Sequence, residues 1–366
     1  MNTVNNRRVI DTFLECVRIS SPSWKEEPMI RYIERAAASL GFTSERVPCR
    51  DSFNLIVRVP GDEKRPPVIF AAHTDTVTPC DNVKPVETAT KITSDGTTIL
   101  GGDDKAAVAA FIEAMRVVKE SPFEHPPVEF VFTCAEEVGL CGMKGMDYSK
   151  LRSKRGFVFD CSGAIGTMIL QAPSQIILKV KVTGKAAHAG IEPEKGINAI
   201  RVLSEIIAKL PNGRIDKETT ANVGIVSGGR ATNIVPETAS FDMEMRSLDR
   251  KKLSALEKKV KEIIKKTAAS RKAKSVIDSA IEYRDFSIPK TAPLVKTVEK
   301  AAAMIGVKPR YSSSGGGSDT NILNAKGIKA VNLSIGMSNV HTTGEFILKS
   351  DIIKGAELVL AIMASA

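Results

Sequence analysis

The stretch VIFAAHTD, residues 68–75, sets the reading of the chain. Five apolar residues run without a polar break and then stop at His73, Thr74 and Asp75. Such a run is too short for a helix. Its lack of alternation predicts a strand buried on both faces, as in a parallel sheet covered by helices. Segments of the same kind recur at Asn54–Val59, Val128–Thr133, Phe157–Phe159 and Val331–Ile335. Helical spacing of apolar residues appears at 4–19, 25–40, Ala106–Lys119, Pro293–Ile305 and Asp351–Met363. Strands alternating with helices predict an α/β domain built on a doubly wound, mostly parallel sheet.

Residues 175–283 follow another pattern. Gln175–Val182, Ala221–Val226, Ile234–Arg246 and Val276–Tyr283 read as strands, and Gly196–Leu210 and Arg250–Ala268 as amphipathic helices. The order βαββαβ predicts an inserted α+β, ferredoxin-like domain. The expected division is therefore 1–174 and 284–366 for the host domain and 175–283 for the insert.

Composition excludes several classes. Of 366 residues, 43% are hydrophobic and 26% charged, which is a folded globular balance rather than a disordered or fibrous one. No run of about 18 apolar residues is present, so no membrane span is expected. The polar first ten residues lack the apolar core of a signal peptide. Cys16, Cys49, Cys80, Cys134, Cys141 and Cys161 are scattered without a CxxC pair, which favours a reducing, cytoplasmic setting over a disulfide scaffold. The net charge of +10 raises nucleic acid as a partner. Residues 176–282 alone hold 21 Lys+Arg against 13 Asp+Glu, so most of the excess sits in the insert. Trp24 and Tyr32 do not interleave with basic residues, and no stacking platform is expected. The lysine-rich stretch 250–268 keeps Leu253, Leu256, Val260, Ile263 and Ile264 on one face, the pattern of a solvated helix lying on a sheet.

Ionisable residues cluster where these strands end. His73 and Asp75 follow the first, Glu136 and Glu137 follow Val128–Thr133, Asp160 follows Phe157–Phe159, and His341 follows Val331–Ile335. Asp103 and Asp104 open the helix at Ala106. Singly, each has an ordinary reading: a solvated glutamate pair, a helix cap, a surface histidine. Together they fall on the rim where open α/β sheets bind ligands. Imidazole and carboxylate without thiolate suit zinc, with cobalt or manganese as substitutes. Five such groups exceed one tetrahedral site and suit two metals about 3.5–4 Å apart, sharing a carboxylate and a water.

Eight motifs carry a resemblance. HTDTV at 73–77, GGDDKAAVA at 101–109, AEEVGLCG at 135–142, FD at 159–160, GKAAHAG at 184–190, GGRATNIVPE at 228–237, GGGSDTN at 315–321 and VHTTGE at 340–345 stand in order along the chain. The sequence resembles the dizinc metallopeptidases related to peptidase T, carboxypeptidase G and the succinyl-diaminopimelate desuccinylases, and is most similar to their peptidase T-like branch. The resemblance implies His73, Asp103, Glu137, Asp160 and His341 as ligands of two Zn²⁺, with Asp103 shared, His73 and Asp160 on one metal, and Glu137 and His341 on the other. It implies Glu136 as general base, Asp75 as support for His73, and His188 of the insert as the residue reaching the substrate carbonyl oxygen. Asn233 and Arg246 match positions that bind substrate backbone or carboxylate. Gly316, in the Gly-rich stretch, is expected where backbone approaches substrate closely. The resemblance further implies a cis peptide at Asp103–Asp104 and an insert that serves as lid, dimerisation surface or both.

The expected activity is hydrolysis of short peptides, in the manner of a tripeptidase or aminopeptidase, by a metal-bridging hydroxide with Glu136 as base. An N-acyl amino acid deacylase would use the same metal site, and a non-catalytic protein binding through the basic insert is the reading furthest from it. Short peptides are the expected partners, with no nucleic acid and no membrane, and a homodimer can form through the insert. His125, in the Pro-rich stretch 122–126, is expected to be exposed and without a role.

Overall fold

The structure is a computed structural model and describes residues 3–366. The chain divides into two units. The first comprises the chain up to Leu170, Ser287–Ser313 and Ser318–Ala366. The second comprises Gln171–Phe286 and Ser314–Gly317.

The first unit is built on four parallel strands: β1 (Val68–His73), β2 (Val128–Thr133), β3 (Arg155–Cys161) and β4 (Lys329–Ser334). They lie in the order β2-β1-β3-β4. Antiparallel strands flank them on both sides. Ser52–Val59 pairs β2 and is itself paired by Thr43–Cys49, while Thr167–Ala172 pairs β4. Every residue of β1 and of β2 is buried, which accounts for their largely apolar composition, and the one carboxylate among them, Glu129, accepts from the Arg152 and Ser153 N–H groups. The connection after β1 runs to β2 on one side, and that after the neighbouring β3 runs toward β4 on the other. That opens a crevice at the carboxyl end of β1, where His73 stands.

One face of this sheet is an aromatic core. Phe70 of β1, Phe130 of β2 and Phe157 and Phe159 of β3 are fully buried. They surround Phe111 of helix α1 (Gly102–Glu120) and one another, with ring centroids 5.1–6.1 Å apart. Each ring contributes roughly 2–3 kcal/mol of burial. Helix α1 is buried almost all round, packed by Asn6–Arg18 on one side and Lys349–Ser365 on another. Glu113 is fully buried and bound by Arg8 at 2.8 Å.

The second unit is a five-stranded sheet in the order Gly213–Arg214, Thr219–Gly228, Thr238–Ser247, Ser174–Thr183, Lys274–Tyr283. All its pairs are antiparallel. Helices Ala199–Lys209 and Arg250–Ser270 cover one face, burying Val202, Leu203, Ile206, Leu253, Leu256, Val260 and Ile264. The order is the expected βαββαβ with one short added strand. The third main strand starts at Thr238, not Ile234, because Pro236 and the turn before it break the ladder. The tetrapeptide Ser314–Gly317 joins this unit across the chain. Ser314 N–H donates to Gln171 O at 2.8 Å, and Gly317 lies against Tyr283, where an added Cβ would stand 2.4 Å from the ring. Only glycine fits at 317.

His125 differs from expectation. It is buried, its ring 5.2 Å from that of Phe123, with Nδ1 2.7 Å from Pro126 O. The prolines that suggested an exposed loop instead fold it back, and Asp62 N–H donates to its carbonyl.

Lys105, in the first turn of α1, is buried and donates from Nζ to Ile19 O at 2.7 Å. Burial lowers its pKa from 10.5 to about 8. Between those values the unfolded chain binds more protons than the folded one, so stability rises with pH. The charged form's cost is fully present below about pH 8 and is relieved as pH climbs through the unfolded value. The expected gain is on the order of 3 kcal/mol at most. In urea unfolding at pH 7.5 and 10.5, Lys105→Met should lose this increment relative to the parent protein.

Candidate metal centre

At the end of β2 the chain turns through Ala135, which has a left-handed φ of 48°. The turn directs the next two backbone N–H groups at one carboxylate. Glu136 N–H donates to Asp75 Oδ1 at 2.9 Å and Glu137 N–H to Asp75 Oδ2 at 3.2 Å, while Ser23 Oγ–H adds a third bond at 2.7 Å. Burial raises the Asp75 carboxyl, but His73, Ser23 and the Glu136 N–H outweigh it and hold the pKa below the ordinary value. Asp75 thus fixes the loop that carries both glutamates.

His73 closes β1. Its Nδ1 lies 2.9 Å from the backbone carbonyl of Asp75 and 3.5 Å from that residue's Oδ1. Because β1 ends at His73, Asp75 does not follow strand alternation. The main-chain oxygen is the nearer partner of the imidazole. A hydrogen bond at Nδ1 fixes the ring and leaves Nε2 facing inward.

Two imidazoles meet at Asp103. Its Oδ1 lies 2.9 Å from His73 Nε2 and its Oδ2 lies 3.2 Å from His341 Nε2. Glu137 Oε1 is 3.0 Å from the same His341 nitrogen, and Asp160 Oδ1 is 3.8 Å from His73 Nε2. The Asp103–Asp104 peptide is cis, and Asp103 and Asp104 depart from helical dihedrals at the head of α1. His341 has a left-handed φ of 63° in the loop after β4, and its side chain is half exposed. The site therefore draws on four strand-end loops and one helix start.

Two groups satisfy the spacing of a cation site: His73, Asp103, Glu137 and His73, Asp104, Asp160, with donor atoms within 4.8 Å of one another in each. Two ligands on one tetrahedral zinc lie about 3.3 Å apart. The pairs through Asp103 and His341 fall short of that by only a few tenths of an ångström. Asp104 Oδ1 is buried without a hydrogen-bond partner, while its Oδ2 accepts the His73 N–H at 3.3 Å. Electrostatics agree with the fit. Burial, and then the neighbouring Asp160, raise Glu136 well above a normal carboxyl, and burial and Asp103 do the same to Asp160. At His73 burial opposes charge, yet Asp103 and Asp75 lift the pKa well above normal. Asp103 and Glu137 raise His341 to about 10. These donors favour positive charge among them.

The other predicted residues lie in the second unit. His188 and Asn233 are exposed on neighbouring loops joined by Ala189 N–H to Asn233 O at 2.9 Å. Gly190 N–H donates to His188 Nδ1 at 3.2 Å, so Nε2 carries the ring proton. Arg246 forks onto Glu244 at 3.1 and 2.8 Å and points Nη1 at Gly315 O, 3.4 Å away. An added Cβ at Gly316 would lie 3.7 Å from the same Nη1, so the Gly-rich stretch and Arg246 form one locus.

Some residues of the first unit's site went unassigned from sequence. Asp104 enters the donor set, and Asp319 accepts from Thr133 Oγ1 at 2.6 Å, its pKa raised to about 6 by burial. Glu26 accepts the Ala135 N–H at 2.9 Å, and Glu345 binds the Asp103 loop. The GGDD, GGGSDTN and VHTTGE motifs contained three of these. Glu26, far upstream, carried no signal.

Imidazoles and carboxylates gathered at the carboxyl ends of parallel strands, with no thiolate among them, define a metal-dependent hydrolase. Comparison with known proteins narrows the class. Residues 54–170 match Peptidase family M28, and residues 175–272 match the Peptidase dimerisation domain. Over 99% of both chains the sequence is 39% identical to the uncharacterised protein YqjE of Bacillus subtilis. The crystal structure of aminopeptidase PepT from Bacillus cereus is 37% identical over 99% of each chain, with a TM-score of 0.88. That of a tripeptidase from Staphylococcus aureus is 33% identical, covering 99% of this chain and 98% of that one, with a TM-score of 0.93. The two partial matches bear different family names, and the whole-chain relatives decide between them. The chain belongs to the peptidase T-like metallopeptidases of the M20 family. Among the described residues no helix is long and apolar enough to cross a membrane.

Asp75→Asn would set an amide NH₂ against one of the two backbone N–H donors. The expected cost is about 1–3 kcal/mol in urea unfolding. Ser23→Ala, which removes one donor to the ionised carboxylate, should cost about 1.5–3 kcal/mol.

Proposed function

We infer that this protein is an exopeptidase that hydrolyses short peptides, releasing residues from the amino end. The observation that carries the reading is Asp103, one carboxylate with an oxygen on each of two imidazoles. His73, Asp103 and Asp160 would hold one cation, and Asp103, Glu137 and His341 the other. Zinc suits this donor set best, with cobalt or manganese as replacements. Two such cations, when bound, acidify a water and polarise the scissile carbonyl.

The chain's own residues supply the proton transfers. Glu136 takes the proton of the attacking water as the oxygen bonds to the carbonyl carbon. It returns that proton to the nitrogen as the C–N bond breaks. Asp75 keeps the Glu136 backbone in place throughout. His188, with its proton on Nε2, donates to the carbonyl oxygen as charge develops there. Asn233 and Arg246 are the residues proposed to bind the peptide backbone and its carboxylate, with Gly316 as a backbone contact.

Peptides are favoured over N-acyl amino acids by the aminopeptidase and tripeptidase named among the whole-chain relatives. We further propose a homodimer formed through residues 175–272, which match the dimerisation domain. In that unit the strand Thr219–Gly228 leaves Ile225 and Val226 about 60% exposed.

The test is a digest of a tripeptide library beside a panel of N-acyl amino acids. Chelation should abolish tripeptide cleavage, and Zn²⁺ or Co²⁺ should restore it. Glu136→Ala should retain metal by elemental analysis and lose about 10²–10⁴-fold in kcat. Turnover of N-acyl amino acids without any tripeptide cleavage, or full activity of Glu136→Ala, would refute the reading.

A further inference from the structure

Glu345 closes the VHTTGE motif four residues after His341 and is 1% exposed. Its carboxylate is spent entirely on main chain. Oε2 accepts the N–H groups of Leu100 and Gly101 at 2.8 and 2.7 Å, and Oε1 accepts that of Asp103 at 3.0 Å. Gly101 has a left-handed φ of 78°, which lets the successive N–H groups converge into an anion-binding concavity. An internal side chain fills it. Gly102 faces the same carboxylate, and a Cβ there would stand 3.0 Å from Oε1.

Hydrogen bonds cross the His341 loop between its two functional ends. Glu345 N–H donates to Thr342 O at 3.1 Å, and Thr342 Oγ–H to Asn339 O at 2.8 Å. Directly after it, Phe346–Leu348 pairs with Lys91–Thr93. The His341 loop and the Asp103 loop therefore meet twice. They meet once through Glu345 on the backbone and once through His341 Nε2 against Asp103 Oδ2, 3.2 Å apart.

We propose that Glu345 is a positioning residue that holds Asp103 and His341 in register, so that the cation position they share exists before a cation arrives. This rests on the reading of Asp103 and His341 as ligands. A carboxylate is required because three donors point at two oxygens. In Glu345→Gln the remaining oxygen keeps at best the Leu100 and Gly101 bonds, and the amide NH₂ turns against the Asp103 N–H. The residue that loses its anchor is the one between the imidazoles.

Metal-free protein is titrated with Co²⁺, and binding is read from visible absorption and from metal analysis after gel filtration. Glu345→Gln should weaken binding by about 10–100-fold and alter the Co²⁺ spectrum. Gly102→Ala, whose methyl displaces Oε1, should shift both in the same direction and carries the test if Glu345→Gln is not recovered folded. Glu113→Gln breaks another buried carboxylate pair about 15 Å further along the same helix. It should lower thermal stability while leaving Co²⁺ affinity and spectrum as in the parent. Parent-like Co²⁺ binding in both Glu345→Gln and Gly102→Ala would overturn the proposal. So would an equal loss of affinity in Glu113→Gln, which would mark the effect as general destabilisation. Absence of Co²⁺ binding in the parent protein is a different result: it removes the metal reading itself, and this inference with it.

Discussion

The constraint on which everything else depends is the crowding of carboxylates in a largely buried crevice. Uncompensated, a buried carboxylate protonates or destabilises the fold. The chain divides its carboxylates into two kinds. Asp75, Glu26 and Glu345 are saturated by backbone N–H groups and hydroxyls, and each bond they accept pins a loop. Asp103, Glu137 and Asp160 instead face imidazole nitrogens. Geometry is held by the first kind so that charge can be presented by the second. The arrangement needs no long side chain to be rigid on its own.

The sheet supplies the remaining rigidity. His73 and Asp160 come from adjacent strands, β1 and β3, whose registered pairing ends just before the site. The phenylalanine cluster around Phe111 ties those strands to helix α1, which begins with Asp103 and Asp104. A displacement of α1 would move Asp103 and disturb the ring packing together. Ligand placement and core packing are in this sense one property.

Much of this was legible in the sequence, for identifiable reasons. Short, mostly apolar runs mark buried parallel strands, and the ionisable residue following each run marks the rim. That reasoning reached His73, Glu136, Glu137, Asp160 and His341 without a structure, and the motif spacing added Asp103. What stayed hidden was of another type. The roles of Glu26 and Glu345 depend on which distant N–H groups a fold brings to a carboxylate, and no local pattern encodes that. His125 was misread because proline-rich composition describes a turn but not the direction in which it folds. The Asp75 carboxylate stands 3.5 Å from His73 Nδ1, and the two backbone N–H groups it also accepts are ones that strand alternation does not foretell.

The tetrapeptide Ser314–Gly317 has a consequence for what counts as a domain here. By sequence continuity the second unit is one insertion, entered at Gln171 and left at Phe286. By packing it also owns four residues that the chain reaches only after a helix and a strand of the other unit. A fragment cut at the two obvious crossings would leave the Tyr283 ring without Gly317 against its face and Arg246 without the Gly315 carbonyl. The covalent module and the folded module are different sets of residues. A chimaera that borrows this unit must carry over both pieces of chain.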